Sequence, residues 1–460
     1  MQDPVQRRAA SIRDSQTLRL FVVGGLVLVL LIPVAMISGL ITERQQRRES
    51  AVADVSSKWG NAQAITGPAL VVPYTHRRTG TGADGQTVTG TAERLAVFLP
   101  ERLQVRGTIE SGTLNRGIFS IPVYRLRAVV DGEFARPSFA ELGVDAAAID
   151  WERARLAVGI SDARAIQEET AVTWNGEGVG FLPGSGGVDD LGPGVHAPVG
   201  VADGTERFAF SFPLALNGTG GVQVAPFGQN TVVDLESDFA APSFQGTWLP
   251  TERSVSGDGF RARWSIPFLG RNYPQAWTSG RSMAEAIEAS RFGVELMSPV
   301  DHYRMARRSV KYAAMFILLT FAAVWVMEVL AGVRVHPIQY LMLGAALCVF
   351  YLLELSLAEH LGFPVAYALA SVAVIGMVAS YSLAVLRRPS RATVVGAGVS
   401  LLYAYLYVLL MNEDYALLIG SVGLFLILGG LMFATRRIDW FAVGARPEGA
   451  GEPGGVGAGR

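Results

Sequence analysis

The stretch VHPIQYLMLGAALCVFYLLELSLAEHLGF, residues 335–363, decides the fold of this chain. Within it, residues 338–357 form a run of about twenty positions that is apolar except for one charge, Glu354. A helix of that length rises about 30 Å, which matches the hydrocarbon thickness of a bilayer. Because lipid offers no hydrogen bonds to exposed amides, such a run adopts a helix in a membrane.

Comparable apolar runs lie on both sides of this stretch. They occupy residues 20–41, 312–331, about 363–386, 393–411 and 415–433. The run near the beginning follows four arginines, a pattern that signal peptides share. It is longer than a typical signal-peptide core, and no small-x-small cleavage site follows it. We therefore predict a retained anchor and a membrane α-helical bundle of six transmembrane helices.

The composition fits a membrane protein with one sizeable water-exposed domain. Half of the 460 residues are hydrophobic and 17% are charged, and the mean hydropathy is +0.31. The net charge of −1 argues against bulk nucleic-acid binding. A single cysteine, Cys348, excludes an intrachain disulfide, and no zinc or haem spacing is present. We expect no cofactor.

Residues 67–281 change from helical to strand periodicity. In RFAFSFPLALNG, alternate positions from Phe208 to Leu216 are large and apolar, and FRARWSIPFLG repeats the pattern from Phe260. Short alternating runs separated by Gly, Pro and Asp predict an antiparallel β-rich domain that is sandwich-like or barrel-like. The glycine-rich residues 175–206 predict a long mobile loop.

An internal duplication is one of two explanations for a short likeness within this region. GEFARPSF at residues 132–139 resembles SDFAAPSF at residues 237–244, and an Arg-Ala-Arg follows each, from Arg153 and from Arg261. Matches this short also arise by chance or from shared strand-turn chemistry.

The short loops predict the orientation of the bundle. Basic residues lie between spans two and three, between spans four and five and after span six, whereas the alternate loops at residues 359–360 and 412–414 lack Lys and Arg. Lys and Arg favour cytoplasmic loops. We predict a cytoplasmic amino terminus at residues 1–19, a first helix at 20–41, an external domain at 42–310, a helix bundle at 311–435 and a disordered cytoplasmic tail at 436–460.

Several segments resemble the CreD family of bacterial inner-membrane proteins, which are described as cell-envelope integrity proteins. They include WGNAQAITGPALVVPY, RGIFSIPVYRLRAVVDGEF, RSVKYAAMFILLTF and SLAEHLGFPVAYALA, and the likeness covers about residues 43–440. The resemblance implies a six-helix topology in the inner membrane and a β-rich domain facing the periplasm. The family favours an apolar residue in place of Glu354, so the resemblance implies no shared role for that side chain. It supplies no established reaction.

The candidate functional residues are polar side chains in or beside the spans. Carboxylates inside a membrane are functional candidates by default, but Glu328 and Glu354 lie near span ends. Snorkelling, or pairing with Arg334 or a tyrosine, is the simpler explanation for both. The other candidates are His336, Gln339, Tyr340, Glu359 and His360.

Each of these other candidates has a structural alternative. His336 and Gln339 flank Pro337 and suit helix capping. Glu359 and His360 close the same helix on the outer side, where they could meet Asp301 and His302. That set has no recognised metal-ligand spacing, and we expect no metal site.

Three functions remain open from the sequence. The first is a non-enzymatic envelope protein whose external domain binds other envelope components. The second is an ion- or lipid-coupled transporter, which is expected to show inverted repeats, broken helices or several midplane polar groups. The third, an external hydrolase, lacks a nucleophile–base constellation. Apolar span interiors favour the first, with the lipid bilayer and envelope proteins as partners.

Overall fold

The computed structural model describes residues 16–81, 87–296, 302–331, 335–386 and 388–436. The chain divides into two compact units, one comprising residues 1–47 with 300–460 and the other residues 48–299. We call the first the membrane unit and the second the β unit. Most of the tail expected at 436–460 and most of the amino-terminal segment expected at 1–19 lie outside the described residues.

The described residues form eight helices, six of which cover the apolar runs of the sequence. They are α1 (Gln16–Trp59), α2 (Ala284–Ala289), α3 (His302–Lys311), α4 (Ala313–Ala331), α5 (Pro337–Leu361), α6 (Phe363–Leu386), α7 (Pro389–Met411) and α8 (Ala416–Thr435). Among the described residues, five helices are long and apolar enough to cross a membrane, or six if α3 and α4 form one bent span. The membrane-helix prediction is confirmed, and the count of six depends on that bent pair.

Residues 302–331 do not form one continuous helix. The helix breaks at Tyr312, and the axes of α3 and α4 differ by 44°. The two segments suit different surroundings, because α3 is amphipathic with a basic face while α4 is apolar except for Thr320 and Glu328. The bend has a physical reason, because it lets the polar face of α3 stay out of the hydrocarbon layer that α4 enters.

The β unit contains seventeen strands among its described residues. They are β1 (Gln63–Thr81), β2 (Thr87–Phe98), β3 (Arg102–Arg116), β4 (Phe119–Ala135), β5 (Arg155–Ile160), β6 (Ala171–Trp174), β7 (Glu177–Gly180), β8 (Leu182–Pro183), β9 (Gly194–Pro198), β10 (Arg207–Gly218), β11 (Gly221–Val224), β12 (Asn230–Ser237), β13 (Pro242–Gly246), β14 (Glu252–Ser256), β15 (Gly259–Pro267), β16 (Ala276–Thr278) and β17 (Phe292–Leu296).

These strands form two sheets. One has the order β13-β17-β11-β1-β5-β9-β8, with β2 and β16 added beside β1, and the other β14-β15-β12-β3-β4-β10-β6-β7. Most pairs are antiparallel, but β1 pairs with β11 and β3 pairs with β12 in parallel. The purely antiparallel prediction is therefore wrong, because alternation specifies which face of a strand is buried and carries no information on its neighbour's direction.

One hydrophobic core takes residues from both sheets. The alternation that predicts the strands is observed in it. Phe208, Phe210, Phe212, Leu214 and Leu216 of β10 are all buried, with exposed fractions of 3% or less. The intervening side chains up to Ala215 are exposed or half-buried. This period of two identifies β10 as a strand with one face in the core.

The glycine-rich residues 175–206 are not a long mobile loop. They contain β7, β8 and β9, and β9 pairs with β5 inside the first sheet. A Cβ atom at Gly194 would clash with the carbonyl oxygen of Val158. Glycine at this position therefore permits close strand packing, a role that composition does not distinguish from chain flexibility.

The two copies of the proposed duplication occupy different elements. Phe134 lies in β4, but its counterpart Phe239 precedes β13 outside any strand. The Arg-Ala-Arg at Arg153 leads into β5 of the first sheet, whereas that at Arg261 lies inside β15 of the second. The two segments do not occupy equivalent positions in the sheets, so the structure gives no support to an internal duplication.

Candidate functional site

The candidate residues of the membrane unit collect at the two ends of α5. Glu354, Glu359 and His360 belong to its last turns, and His336, Gln339 and Tyr340 to its start. At 1.5 Å per residue, His336 and His360 are separated by about 36 Å along the helix. The ends of α5 therefore form two separate polar sites.

Glu359 joins three helices. Its carboxylate accepts hydrogen bonds from Nε and Nη2 of Arg44 on α1, at 2.8 and 2.6 Å. The hydroxyl of Tyr303 on α3 donates to the same carboxylate at 2.8 Å. We call Arg44, Tyr303 and Glu359 the Glu359 cluster. The Glu359 side chain is 5% exposed and that of Arg44 31%, so the bidentate ion pair is only partly open to solvent.

The Glu359 cluster has further support from α3. Nη2 of Arg307 donates to Gln45 Oε1 on α1 at 2.6 Å, and Arg308 pairs with Glu413 at 3.1 Å. Helix α3 is thereby tied to α1, to α5 and to the segment after α7. The two helices that flank the β unit in the sequence, α1 and α3, therefore both contact the same end of α5.

Glu354 is fully buried, and the expectation that it snorkels is wrong. Its exposed fraction is 0%, and its Oε2 accepts a hydrogen bond from the hydroxyl of Ser309 on α3 at 2.8 Å. The other oxygen, Oε1, has no hydrogen-bond partner among the described residues. Glu354 faces the inside of the bundle, where the packing of α3 removes the route to the interface that snorkelling requires.

Aromatic residues pack beside Glu354. Tyr351, Tyr367 and Tyr403 lie within electrostatic range of its carboxyl group, and Phe350 contacts all three rings. No ion pair of Glu354 is formed within the described part of the chain. A buried carboxyl with one serine partner has the chemistry of a proton-exchanging group or of a hydrogen-bonded structural group.

Glu328 shows the tyrosine pairing that the sequence suggests. Its Oε2 accepts a hydrogen bond from the Tyr340 hydroxyl at 3.0 Å, and its exposed fraction is 9%. Tyr340 is itself buried on the first turn of α5 and packs edge-on against Phe321. The pair joins α4 to α5 near the end of α5 opposite the Glu359 cluster. Arg334, the alternative partner, lies outside the described residues.

His336 and Gln339 cap α5. The ring Nδ1 of His336 accepts from the amide of Ile338 at 3.3 Å, and Gln339 Oε1 accepts from the amide of His336 at 2.9 Å. With Pro337 at the first helical position, this is a capping box. The capping role that the sequence favours for this pair is observed.

The outer metal set does not come together within the described chain. His302 packs against the Tyr303 ring, while Glu359 is engaged by Arg44 and Tyr303, and Asp301 lies outside the described residues. No group of three metal-ligating side chains lies within coordinating reach of one another in the part of the chain that the structure describes.

The outer face of the second sheet is the candidate interaction site of the β unit. Its cross-strand ion pairs include Arg263 with Asp234 at 3.5 Å, Arg261 with Glu236 at 3.3 Å, Arg127 with Glu110 at 2.6 Å and Arg106 with Asp131 at 2.8 Å. A groove of about 930 Å³ crosses this face over β14, β15, β12, β3, β4 and β10. We call it the sheet groove. Its lining alternates positive and negative side chains, a surface suited to a polar partner.

Several helices that can cross a membrane, with a large β unit between the first and the second, define a polytopic membrane protein with an inserted β-sheet unit. The sequence profile described as "Inner membrane protein CreD" matches residues 15–441, and the "Inner membrane protein CreD" of Escherichia coli (strain K12) is 34% identical over 420 residues. That alignment covers 91% of this chain and 92% of the relative. The chain therefore belongs to the CreD family of inner-membrane proteins.

Sequence reasoning missed three side chains of the membrane site, Arg44, Tyr303 and Ser309. Arg44 counts in the sequence as a basic residue on the unexpected side of the membrane, where the charge rule is weak for long segments. The buried face of α3 was detectable, because Tyr303, Ala306 and Val310 recur at helical spacing among the basic residues. Its partner on α5 was not detectable from that pattern.

Proposed function

We propose that this chain is a non-enzymatic inner-membrane scaffold that contributes to cell-envelope integrity or the stress response. In this proposal the β unit is a periplasmic interaction module and the helix bundle is its anchor. The family's description as an inner-membrane protein supports the location. The charges of the short loops support cytoplasmic termini and a periplasmic β unit.

The observation that carries the proposal is the sheet groove. Its arginines and carboxylates are engaged with one another across neighbouring strands, as in Arg263 with Asp234. Paired charges of both signs on a rigid sheet make complementary contacts with the correct partner and disfavour the binding of incorrect partners. We infer that the groove binds another envelope component and that no chemical step takes place there.

In the proposed scaffold, the Glu359 cluster joins the helices that flank the β unit to the bundle. Arg44 and Tyr303 stand on the helices that enter and leave the β unit in the sequence, and Glu359 holds both. Force that a bound partner exerts on the β unit therefore acts on helices that are fixed to α5. We propose that this cluster holds α1 and α3, the helices that flank the β unit in the sequence, in fixed positions on α5.

An ion- or lipid-coupled transporter is the second candidate function. The full burial of Glu354 with one oxygen lacking a partner favours it, because intramembrane carboxyl groups serve proton relays in transporters. Against it, Glu354 and Glu328 each accept a hydrogen bond from a hydroxyl group that holds the side chain in place. We prefer the scaffold, in which both groups are structural.

Photo-crosslinking in cells tests the interaction module. A crosslinking amino acid at Ser254 in the sheet groove should give a discrete adduct, and the charge reversal Arg261→Glu with Arg263→Glu should abolish it together with complementation of an envelope phenotype. A crosslinker at Met36, which is 71% exposed on α1, is the control and should not give that adduct. Adducts and complementation that survive the reversal would contradict the groove's role.

A further inference from the structure

Strand β14 lies at one end of the second sheet and has an open edge. It pairs with β15 on one side, and no described strand pairs with its other side. All of its residues, Glu252–Ser256, are exposed. An open edge of this kind carries main-chain N–H and C=O groups that can pair with another strand.

The register of the hairpin shows which main-chain groups point outwards. A two-residue turn joins Ser256 to the first residue of β15, and these two residues form the closing pair of the hairpin, which exchanges both hydrogen bonds. Hydrogen-bonded pairs recur at every second residue of an antiparallel ladder, so Ser254 and Glu252 also bond to β15. The N–H and C=O groups of Arg253 and Val255 therefore point away from β15, towards the open side.

The other strands at the ends of the two sheets are less suited to accept a partner. Strand β7 has glycine at alternate positions, β8 has two residues of which one is proline, β13 begins with proline, and β16 has three residues. Proline and glycine weaken strand pairing, and a short strand offers few hydrogen bonds. Strand β14 has five residues and contains neither proline nor glycine. Among the described strands, it is the edge best suited to pairing.

The side chains of β14 define the chemistry of a matching strand. Val255 is 50% exposed, and an apolar residue opposite it would cover it. Arg253 and Glu252 form no ion pair or side-chain hydrogen bond within the described part of the chain. Arg263, which lies opposite Glu252 in β15, pairs with Asp234 instead. An acidic residue opposite Arg253 and a basic residue opposite Glu252 would complete two cross-strand pairs.

We propose that β14 accepts an extended segment of a partner protein as an added antiparallel strand. From its amino end, this segment has an apolar residue opposite Val255, an acidic residue opposite Arg253 two positions later, and then a basic residue opposite Glu252. The antiparallel direction gives Val255 and Arg253 two main-chain hydrogen bonds each. In strand addition the main chain provides affinity and alternate side chains provide specificity. The proposal rests on the proposed function of the β unit as an interaction module, and it identifies the partner as a polypeptide strand beside the sheet groove.

The test uses the full chain in nanodiscs and two fluorescent peptides of identical composition. The first has the central sequence Thr-Val-Thr-Glu-Lys, which places its charges opposite the unlike charges of Arg253 and Glu252. The second, Thr-Val-Thr-Lys-Glu, places them opposite like charges. Each cross-strand charge pair changes affinity by up to about five-fold, so the first peptide should bind about ten-fold more tightly. The variant E252R/R253E should prefer the second peptide, a reversal that loss of folding does not produce.

A proline at the open side tests the main-chain hydrogen bonds. V255P removes an outward N–H group and leaves the hydrogen bonds to β15 in place, because Val255 does not bond to that strand. One hydrogen bond changes affinity about five-fold, and the proline ring also crowds the added strand. We therefore expect the first peptide to bind about ten-fold more weakly. The control V255T keeps the N–H group and the side-chain shape and should bind as the unmodified chain does.

Three results would overturn the proposal: no binding of either peptide, equal binding of both, or binding that V255P leaves unchanged. The photo-crosslinker at Ser254 separates such a failure from failure of the proposed function. An adduct in cells that survives V255P would keep the interaction module and exclude strand addition. Selective peptide binding without any adduct in cells would support strand pairing at β14 and contradict the proposed function.

Discussion

The ion pair between Arg44 and Glu359 should couple α1 to α5 measurably. Removing one partner of a buried ion pair costs about 3–5 kcal/mol, whereas exposed pairs contribute about 0–1 kcal/mol. The Glu359 carboxylate is 5% exposed and the Arg44 side chain 31%, which places this pair between the two cases. We expect Glu359→Gln to lower the free energy of unfolding by about 2 kcal/mol, and the coupling energy with Arg44→Gln to be about 1–2 kcal/mol.

A double-mutant cycle measures this coupling, with the free energy of unfolding taken from denaturant titration of the full chain in bicelles. The matched control is the pair Glu43 with Arg47, which joins one turn of the same helix α1 at 2.6 Å with side chains 53% and 62% exposed. Its coupling should stay below about 0.5 kcal/mol. A coupling for Arg44 with Glu359 as small as that of the control would refute the assignment of a partly buried ion pair that couples α1 to α5.

Three further predictions concern the β unit and the orientation of the chain. Phe210→Asp should lower the free energy of unfolding by several kcal/mol, because Phe210 is 3% exposed and the new carboxylate would be buried without a partner; an undiminished melting temperature would contradict this. Hydrogen bonds from Arg164 and then Asn61 hold the pKa of Asp162 below its ordinary value of 3.8. Its contribution to stability is therefore complete above about pH 4 and is lost as the pH falls through the lowered pKa, so Asp162→Asn should flatten the acid limb of the tryptophan-fluorescence unfolding profile; an unchanged limb would contradict the assignment. Reporter fusions at Glu359 should be periplasmic, and a cytoplasmic signal from residues 67–281 would overturn the topology.

The membrane helices were predictable because their signal is local. The sequence predicts a span at residues 363–386, and α6 is Phe363–Leu386. The bend at Tyr312 was not predicted, since the hydropathy of a run does not report a change of helix axis. The basic face of α3 was visible in the sequence, but its separation from α4 depends on how each segment packs.

The membrane site was only partly predictable, for reasons of distance and packing. Arg44 and Glu359 are 315 residues apart in the chain, and no periodicity connects them. The burial of Glu354 could not be judged from its distance to the end of α5, because a neighbouring helix, α3, covers it through Ser309. By contrast, the capping box of His336 and Gln339 is contained within four residues and was visible in the sequence.

The β unit shows the same division between local and non-local information. Alternation in β10 identifies a strand and its buried face correctly. The parallel pairings of β1 with β11 and of β3 with β12 join strands that are distant in the chain. Non-local pairing of this kind leaves no turn signal between the partners, which is why the sequence favoured antiparallel neighbours throughout.

The central claim, that the bundle is a scaffold and not an ion-coupled carrier, is tested most directly by the double variant Glu328→Gln with Glu354→Gln. Glutamine keeps an acceptor oxygen for the Tyr340 and Ser309 hydroxyls while removing the ability to exchange a proton. The measurement is complementation of the envelope phenotype by variant protein whose membrane insertion has been verified. The scaffold predicts full complementation, whereas deletion of residues 63–296 should abolish it. A correctly inserted double variant that fails to complement would contradict the scaffold and favour the carrier.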